Sequence, residues 1–138
     1  MARGPDNDTD AIALRARRDA PAGVHVPALI IQGSADTTVA PVNAAYLARQ
    51  LLLLNGFEPQ DLPPAPSLPQ ALRSASLYRE GTYKIEEHYA EGNLAVQLVT
   101  IEGLGHAWSG GDPALPFNDA AAPDATEMIG EWIEGLRR

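Results

Sequence analysis

Apolar and polar positions divide the chain into short blocks with different periods. Ala28-Leu29-Ile30-Ile31 is an unbroken apolar run between Pro27 and Gly33, the pattern of a strand covered on both faces in a parallel sheet. Pro41 suits the first turn of a helix. Val42, Ala45, Leu47, Leu51 and Leu54 then form an apolar stripe that stops at Asn55-Gly56, which predicts a helix over this stretch. The run Leu51 to Leu54 is wider than one stripe, so the helix is either fully covered or faces something besides the local core. Residues 57–72 hold Pro59, Pro63, Pro64, Pro66 and Pro69, which forbid regular structure and predict a surface loop long enough to act as a lid.

Thr82 to Tyr89 and Leu94 to Ile101 read as two strands of a hairpin turning at Glu91-Gly92-Asn93, the second strand being the more apolar. After Pro123, the positions Ala125, Met128, Ile129, Trp132, Ile133 and Leu136 recur at helical spacing. Asp124 and Glu127 near the start and Arg137 and Arg138 at the end suit the dipole of that helix. Residues 1–22, by contrast, are rich in Asp and Arg and read as a polar lead-in that flows into the first strand, with Met1 as an internal start. Strands alternating with amphipathic helices predict one α/β domain over residues 1–138, with helices flanking a mainly parallel sheet and one hairpin. A chain of 138 residues, 45% hydrophobic, can bury one core and is too short for two.

Composition narrows the partners. A net charge of −8 and a pI near 4.7 argue against nucleic acid and anionic membranes, both of which reward clustered Lys and Arg. The absence of cysteine removes disulfides, thiolate metal sites and a cysteine nucleophile. The chain shows no signal peptide or apolar run of spanning length, and its compartment stays open. Asp112, Asp119 and Asp124 lack the spacing of a calcium loop, and Gly103, Gly105, Gly110 and Gly111 follow no phosphate-binding pattern. No metal or cofactor is expected.

The candidate chemistry lies where two strands end. Asp36 follows Ile31 by five residues and His106 follows Ile101 by five, so both are expected at the carboxyl edge of the sheet, where α/β proteins gather reactive groups. An acid that fixes an imidazole, and an imidazole that takes a proton from a nucleophile, are two members of a hydrolytic triad. The third is missing. The five serines are Ser34, Ser67, Ser74, Ser76 and Ser109, and none has glycine at both flanking second positions, as a nucleophile elbow requires. Ser109 in Ala107-Trp108-Ser109-Gly110-Gly111 comes nearest, but it lies in a loop with no strand before it.

Pro27 to Val39, including Gln32-Gly33-Ser34-Ala35-Asp36, with Pro41 and Asn43-Ala44 after it, resembles the acid loop of the polyhydroxybutyrate depolymerase-like esterases. Gly103-Leu104-Gly105-His106-Ala107-Trp108-Ser109-Gly110-Gly111, followed by Phe117-Asn118-Asp119 and Pro123-Asp124-Ala125, resembles their histidine loop and last helix. The resemblance runs from about Val26 to the C-terminus, and even Met1 to Pro5 looks like interior family sequence. It implies part of an α/β-hydrolase fold, Asp36 as triad acid, His106 as base and a carboxylic ester as substrate, either a polyhydroxyalkanoate or a smaller ester. The family's strand, elbow serine and oxyanion segment are absent, so the isolated chain is expected to be nearly inactive. It would act with a missing N-terminal half or persist as a homo-oligomer, since an incomplete sheet leaves an apolar edge. The alternative is a non-catalytic, self-associating module.

Each residue also has a plainer use. Asp36 can cap the turn Ser34 to Thr38, and His106 can pack beside Trp108. Trp108 either lines a substrate cleft or fills the space under its own loop. His25 and His88 read as ordinary strand-end and strand-face residues.

Overall fold

A computed structural model describes residues 7–71, 73–77 and 82–138, with residues 73–77 described by their backbone. The elements in order are α1 (Thr9–Asp19), β1 (Ala28–Gly33), α2 (Val42–Leu54), a single 3-10 turn (Pro59–Asp61), β2 (Arg73–Leu77), β3 (Tyr83–Ala90), β4 (Asn93–Ile101), β5 (Trp108–Ser109), β6 (Asn118–Asp119) and α3 (Ala125–Leu136). The readings of Met1 as an internal start and of Met1 to Pro5 as family sequence fall outside the described residues.

The main sheet has the order β1-β4-β3-β2. Only β1 and β4 run parallel; β4 with β3 and β3 with β2 are antiparallel. A mainly parallel sheet and a part of an α/β-hydrolase fold are therefore both incorrect: this is a small mixed sheet with a separate two-stranded parallel ladder, β5 with β6. The error has a physical origin. An unbroken apolar run shows that both faces of a strand are covered but carries no information on the direction of its neighbour. β1 does run parallel to β4, and the antiparallel pairs come from the hairpin and from β2 beyond it. Ala90 pairs with Asn93, leaving Glu91 and Gly92 as a two-residue loop with φ of 51° and 83°, the left-handed pair of a type I′ turn that returns the chain antiparallel. β1 is consequently an edge strand, and Leu29 and Ile31 are only half-buried on one of its faces.

Two cores lie on the two faces of the sheet. On one, Ala44, Ala48, Leu52 and Leu53 of α2 pack on Ile30, Val96 and Leu98. α2 is wide in apolar character because α1 covers its other side: Ala13 is buried there, and Arg49 and Asp10 form a bidentate pair at 2.8 and 2.7 Å. Within the polar lead-in, residues 9–19 form a helix, started by the Asp8 side chain accepting from the Ala11 N–H. The proline-rich segment packs on this same face through buried Leu62 and half-buried Leu68, and the Arg49 guanidinium donates to the Pro63 carbonyl. Asn55 ends α2 and both donates to and accepts from the Val26 backbone, at 2.8 and 2.7 Å, which fixes how the chain enters β1.

On the other face, Met128 of α3 packs with Val99, Ile101, Tyr83 and Ile85. α3 is capped by Asp124, which accepts from the Thr126 and Glu127 N–H groups. Ile133 and Leu136 remain 41% and 40% exposed, so the helix covers its face only in part. Among the described residues no helix is long and apolar enough to cross a membrane.

His88 on β3 is 2% exposed, and its Nε2 has no hydrogen-bond partner among the described residues. Burial disfavours its charged form, with only partial compensation from Glu86, so its pKa lies below the ordinary 6.5. The unfolded chain then takes up a proton that the folded chain refuses, and stability falls as pH drops through that value. His88→Phe should remove this fall and raise stability by about 1 kcal/mol, by relieving an unpaired polar atom. Urea midpoints of the two proteins at about pH 7.5 and 5.5 check this: the gap between them should widen on the acid side.

Candidate active site

Two loops meet where β1 and β4 end together. Their register pairs Gly33 with Ile101, and the chains leaving both strands are then stitched to each other. Ser34 N–H donates to the Ile101 carbonyl at 2.9 Å, Ala35 N–H to the Leu104 carbonyl at 3.0 Å, and Gly103 N–H to Ser34 Oγ at 2.9 Å. Gly33 is required for this approach, because a Cβ at that position would run into the Leu104 carbonyl. The result places Asp36 and His106, seventy positions apart in sequence, with Oδ2 and Nδ1 at 3.0 Å.

Asp36 divides its two oxygens between two tasks. Oδ1 accepts from the Thr38 and Val39 N–H groups at 2.9 and 2.8 Å, which is the turn-capping use. Oδ2 takes His106. Burial alone would raise this carboxyl, but the hydrogen bonds from His106, Val39 and Thr38 outweigh it and hold the pKa below its ordinary value. An ionised carboxylate can only accept, so Nδ1 of His106 is the donor and carries the hydrogen; in the neutral ring Nε2 then bears the lone pair. Nε2 has no hydrogen-bond partner among the described residues, and the His106 side chain is 49% exposed while Asp36 is 9% exposed. The geometry is that of a fixed base with one nitrogen held and the other available.

The surroundings are apolar. Phe117, held at φ 60°, sets its ring edge-on to His106 with centroids 6.4 Å apart. Trp108 N–H donates to the Phe117 carbonyl at 2.7 Å, and the short β5–β6 ladder continues from there. Asp36 and His106 open into a cleft of about 720 Å³ bordered by Leu29, Ile31, Val39, Trp108, Ile129 and Trp132. Trp108 is 47% exposed on the rim and lines the cleft. None of the described residues of the proline-rich segment lines it, so the suggested lid lies on the opposite face.

Ser109 is 3% exposed and donates to the Pro123 carbonyl, which ties the histidine loop to the start of α3. Ser34 is engaged with Gly103, and Ser67 stands in the proline-rich segment. The side chains of Ser74 and Ser76 lie outside the described residues. Asp112 and Asp119 accept from Ala114 and Ala121 N–H groups two residues on, and Asp124 caps α3. His25 meets the Leu94 carbonyl at 2.9 Å, ahead of β1 and away from the pair. Val39 and Phe117, which the sequence shows only as members of the two family-like loops, also line the cleft, together with Ile129 and Trp132. Ile129 and Trp132 stand in the sequence as members of the apolar stripe of α3.

No protein-family model matches the chain, and no curated protein matches it.

Asp36→Asn keeps the size of the acid but offers His106 a side chain that can both donate and accept. The ring should move to the tautomer with its hydrogen on Nε2. Nitrogen-15 shifts of the His106 imidazole report this directly: the native protein should show the Nδ1–H form, and the variant the other or a mixture.

Proposed function

We propose that the chain supplies the acid and the base of a serine-dependent carboxylic ester hydrolase, with the nucleophilic serine contributed from outside the chain. The observation that carries this reading is the Asp36–His106 hydrogen bond, with Nε2 of His106 left without a partner beside an apolar cleft. The resemblance of the two loops to those of polyhydroxybutyrate depolymerase-like esterases supports the same assignment. In the reaction, a serine hydroxyl gives its proton to His106 Nε2 as its oxygen bonds to the ester carbonyl carbon. Asp36 stabilises the imidazolium that forms. His106 then returns the proton to the departing alkoxide, and water hydrolyses the acyl-enzyme by the same route.

The chain alone should not react with a serine-directed fluorophosphonate, as read by intact mass. It should still hasten hydrolysis of nitrophenyl butyrate modestly, at the low end of the about 10²–10⁴-fold available to a positioned general base, because His106 can activate water. His106→Gln should return that rate to the buffer value. Stoichiometric labelling would place a nucleophile in the chain and overturn the division of labour; an unchanged rate in His106→Gln would overturn the base.

One observation favours a second reading, a self-associating module without catalysis. β1 is an edge strand with no Lys, Glu or Pro to blunt it, and Val39, Leu115 and Phe117 are 44%, 57% and 73% exposed nearby. Light scattering at micromolar concentration should then give a dimer or larger species, and Ile31→Lys should reduce its mass. A monomeric native protein would end this reading.

A further inference from the structure

We propose that the cleft between β1 and α3 holds the apolar arm of an uncharged ester, and that Trp132 closes the far end and so sets the length of arm accepted. That the ligand is an ester rests on the reaction proposed above. The cleft's dimensions and chemistry do not.

The two walls run in opposite directions from the same origin. β1 travels toward the acid–base pair, with Leu29, Ile31 and Gly33 on one face at period two; Leu29 to Gly33 spans about 13 Å. α3 begins beside the histidine loop, where Ser109 holds Pro123 and a Cβ on Gly110 would press on Asp124, and it leads away. Ala125, Ile129 and Trp132 border the cleft at i, i+4 and i+7, one helix face rising about 10 Å. Distance from His106 is therefore graded along both walls, with a small residue near the pair and the largest farthest from it.

The far end is a partition. Trp132, Leu29 and Pro27 line both this cleft and a second cavity of about 590 Å³ on the other side of α3. That second cavity is of mixed character, with Glu87, Glu131 and Arg138 facing it beside Ile85, Val99 and Met128. The indole thus separates an apolar space from one of mixed lining, into which an apolar arm could extend once the indole is removed. Trp132 Nε1 is buried with no partner among the described residues, so its aromatic bulk, not a hydrogen bond, does the separating. The charge pattern selects the ligand: among the described residues no ionisable side chain apart from Asp36 and His106 lines the cleft, and Asp36 is already paired. A carboxylate or phosphate would find no cation there, and a cation would meet only an engaged carboxylate.

The test uses alkyl methyl ketones from butyl to decyl, uncharged ester mimics that cannot be hydrolysed, measured by isothermal titration calorimetry on the whole chain. Affinity should rise by up to about fourfold per methylene and then level off once the arm reaches Trp132. Ile129→Trp, placed nearer the pair, should move that break to shorter ketones. Trp132→Ala should join the two cavities and let the rise continue, while Trp132→Phe, which keeps the wall and loses only the unpaired N–H, should leave the break in place. Alkanoates of matching length should bind at least about tenfold more weakly at neutral pH, for want of a cation. A break that Ile129→Trp does not move overturns the proposal even if Trp132→Ala fails to fold, and alkanoates binding as well as ketones overturn the choice of ligand. None of these readouts requires turnover, so loss of the esterase reading alone would leave the length profile intact.

Discussion

The parallel pairing of β1 with β4 is the constraint on which the site depends. Parallel strands end on the same side, so the loops after Gly33 and Ile101 leave side by side. In an antiparallel pair they would leave at opposite ends. The remaining steps are short-range: Ser34 and Ala35 donate across to Ile101 and Leu104, and the missing side chain of Gly33 lets the second loop lie directly on the first. The rest of the sheet can be antiparallel without disturbing this. Its role is to cover β4 on the other side and to give α2 and α3 a surface to pack on.

The single carboxylate of Asp36 resolves a choice that looked exclusive in sequence. A loop aspartate can cap its own turn or hold a histidine, and here one oxygen does each. The two uses reinforce each other. Backbone donors at Oδ1 fix the carboxylate in one orientation, which fixes the direction in which Oδ2 can accept, and that in turn fixes the imidazole. The same bonds keep the acid ionised, the state in which it favours the hydrogen on Nδ1. Rigid placement of a base before any substrate arrives is a large share of what such groups contribute to catalysis.

What could be read from the sequence was whatever a local pattern determines. α2 and α3 follow their apolar stripes, with Asn55 at the end of α2 and Asp124 at the start of α3; the β3–β4 turn follows from Glu91-Gly92, and Asp36 and His106 follow from their position after apolar runs. α1 was not legible because its core contact is slight: Ala13 is buried and Leu14 partly so, while Arg49 of α2 supplies the anchor through Asp10. That partner lies thirty-nine residues away. Sheet direction was missed away from β1, which does run parallel to β4: the antiparallel majority comes from the β3–β4 hairpin and from β2, whose sequence Arg73-Ser74-Ala75-Ser76-Leu77 carries no apolar run. The edge position of β1 and the cleft beside it depend on which strand stands next to it, a property of the whole chain.

The exposed apolar groups around His106 set a condition that any account of this protein has to meet. Phe117 at 73% exposure, Val39 at 44% and Trp108 at 47% come from three separate loops, so they are not one misplaced segment but a rim assembled by the fold. Scattered apolar residues on a surface need no explanation; a group converging on one buried carboxylate and one available imidazole does. The rim lowers the local dielectric response around the pair once a ligand or a partner chain covers it. The Asp36–His106 interaction, modest while His106 is half-open to water, then strengthens. Cover over the rim and a stronger contact between Asp36 and His106 would thus come together. Asp36 and His106 are therefore held in position by the backbone, with their contact still half-open to water.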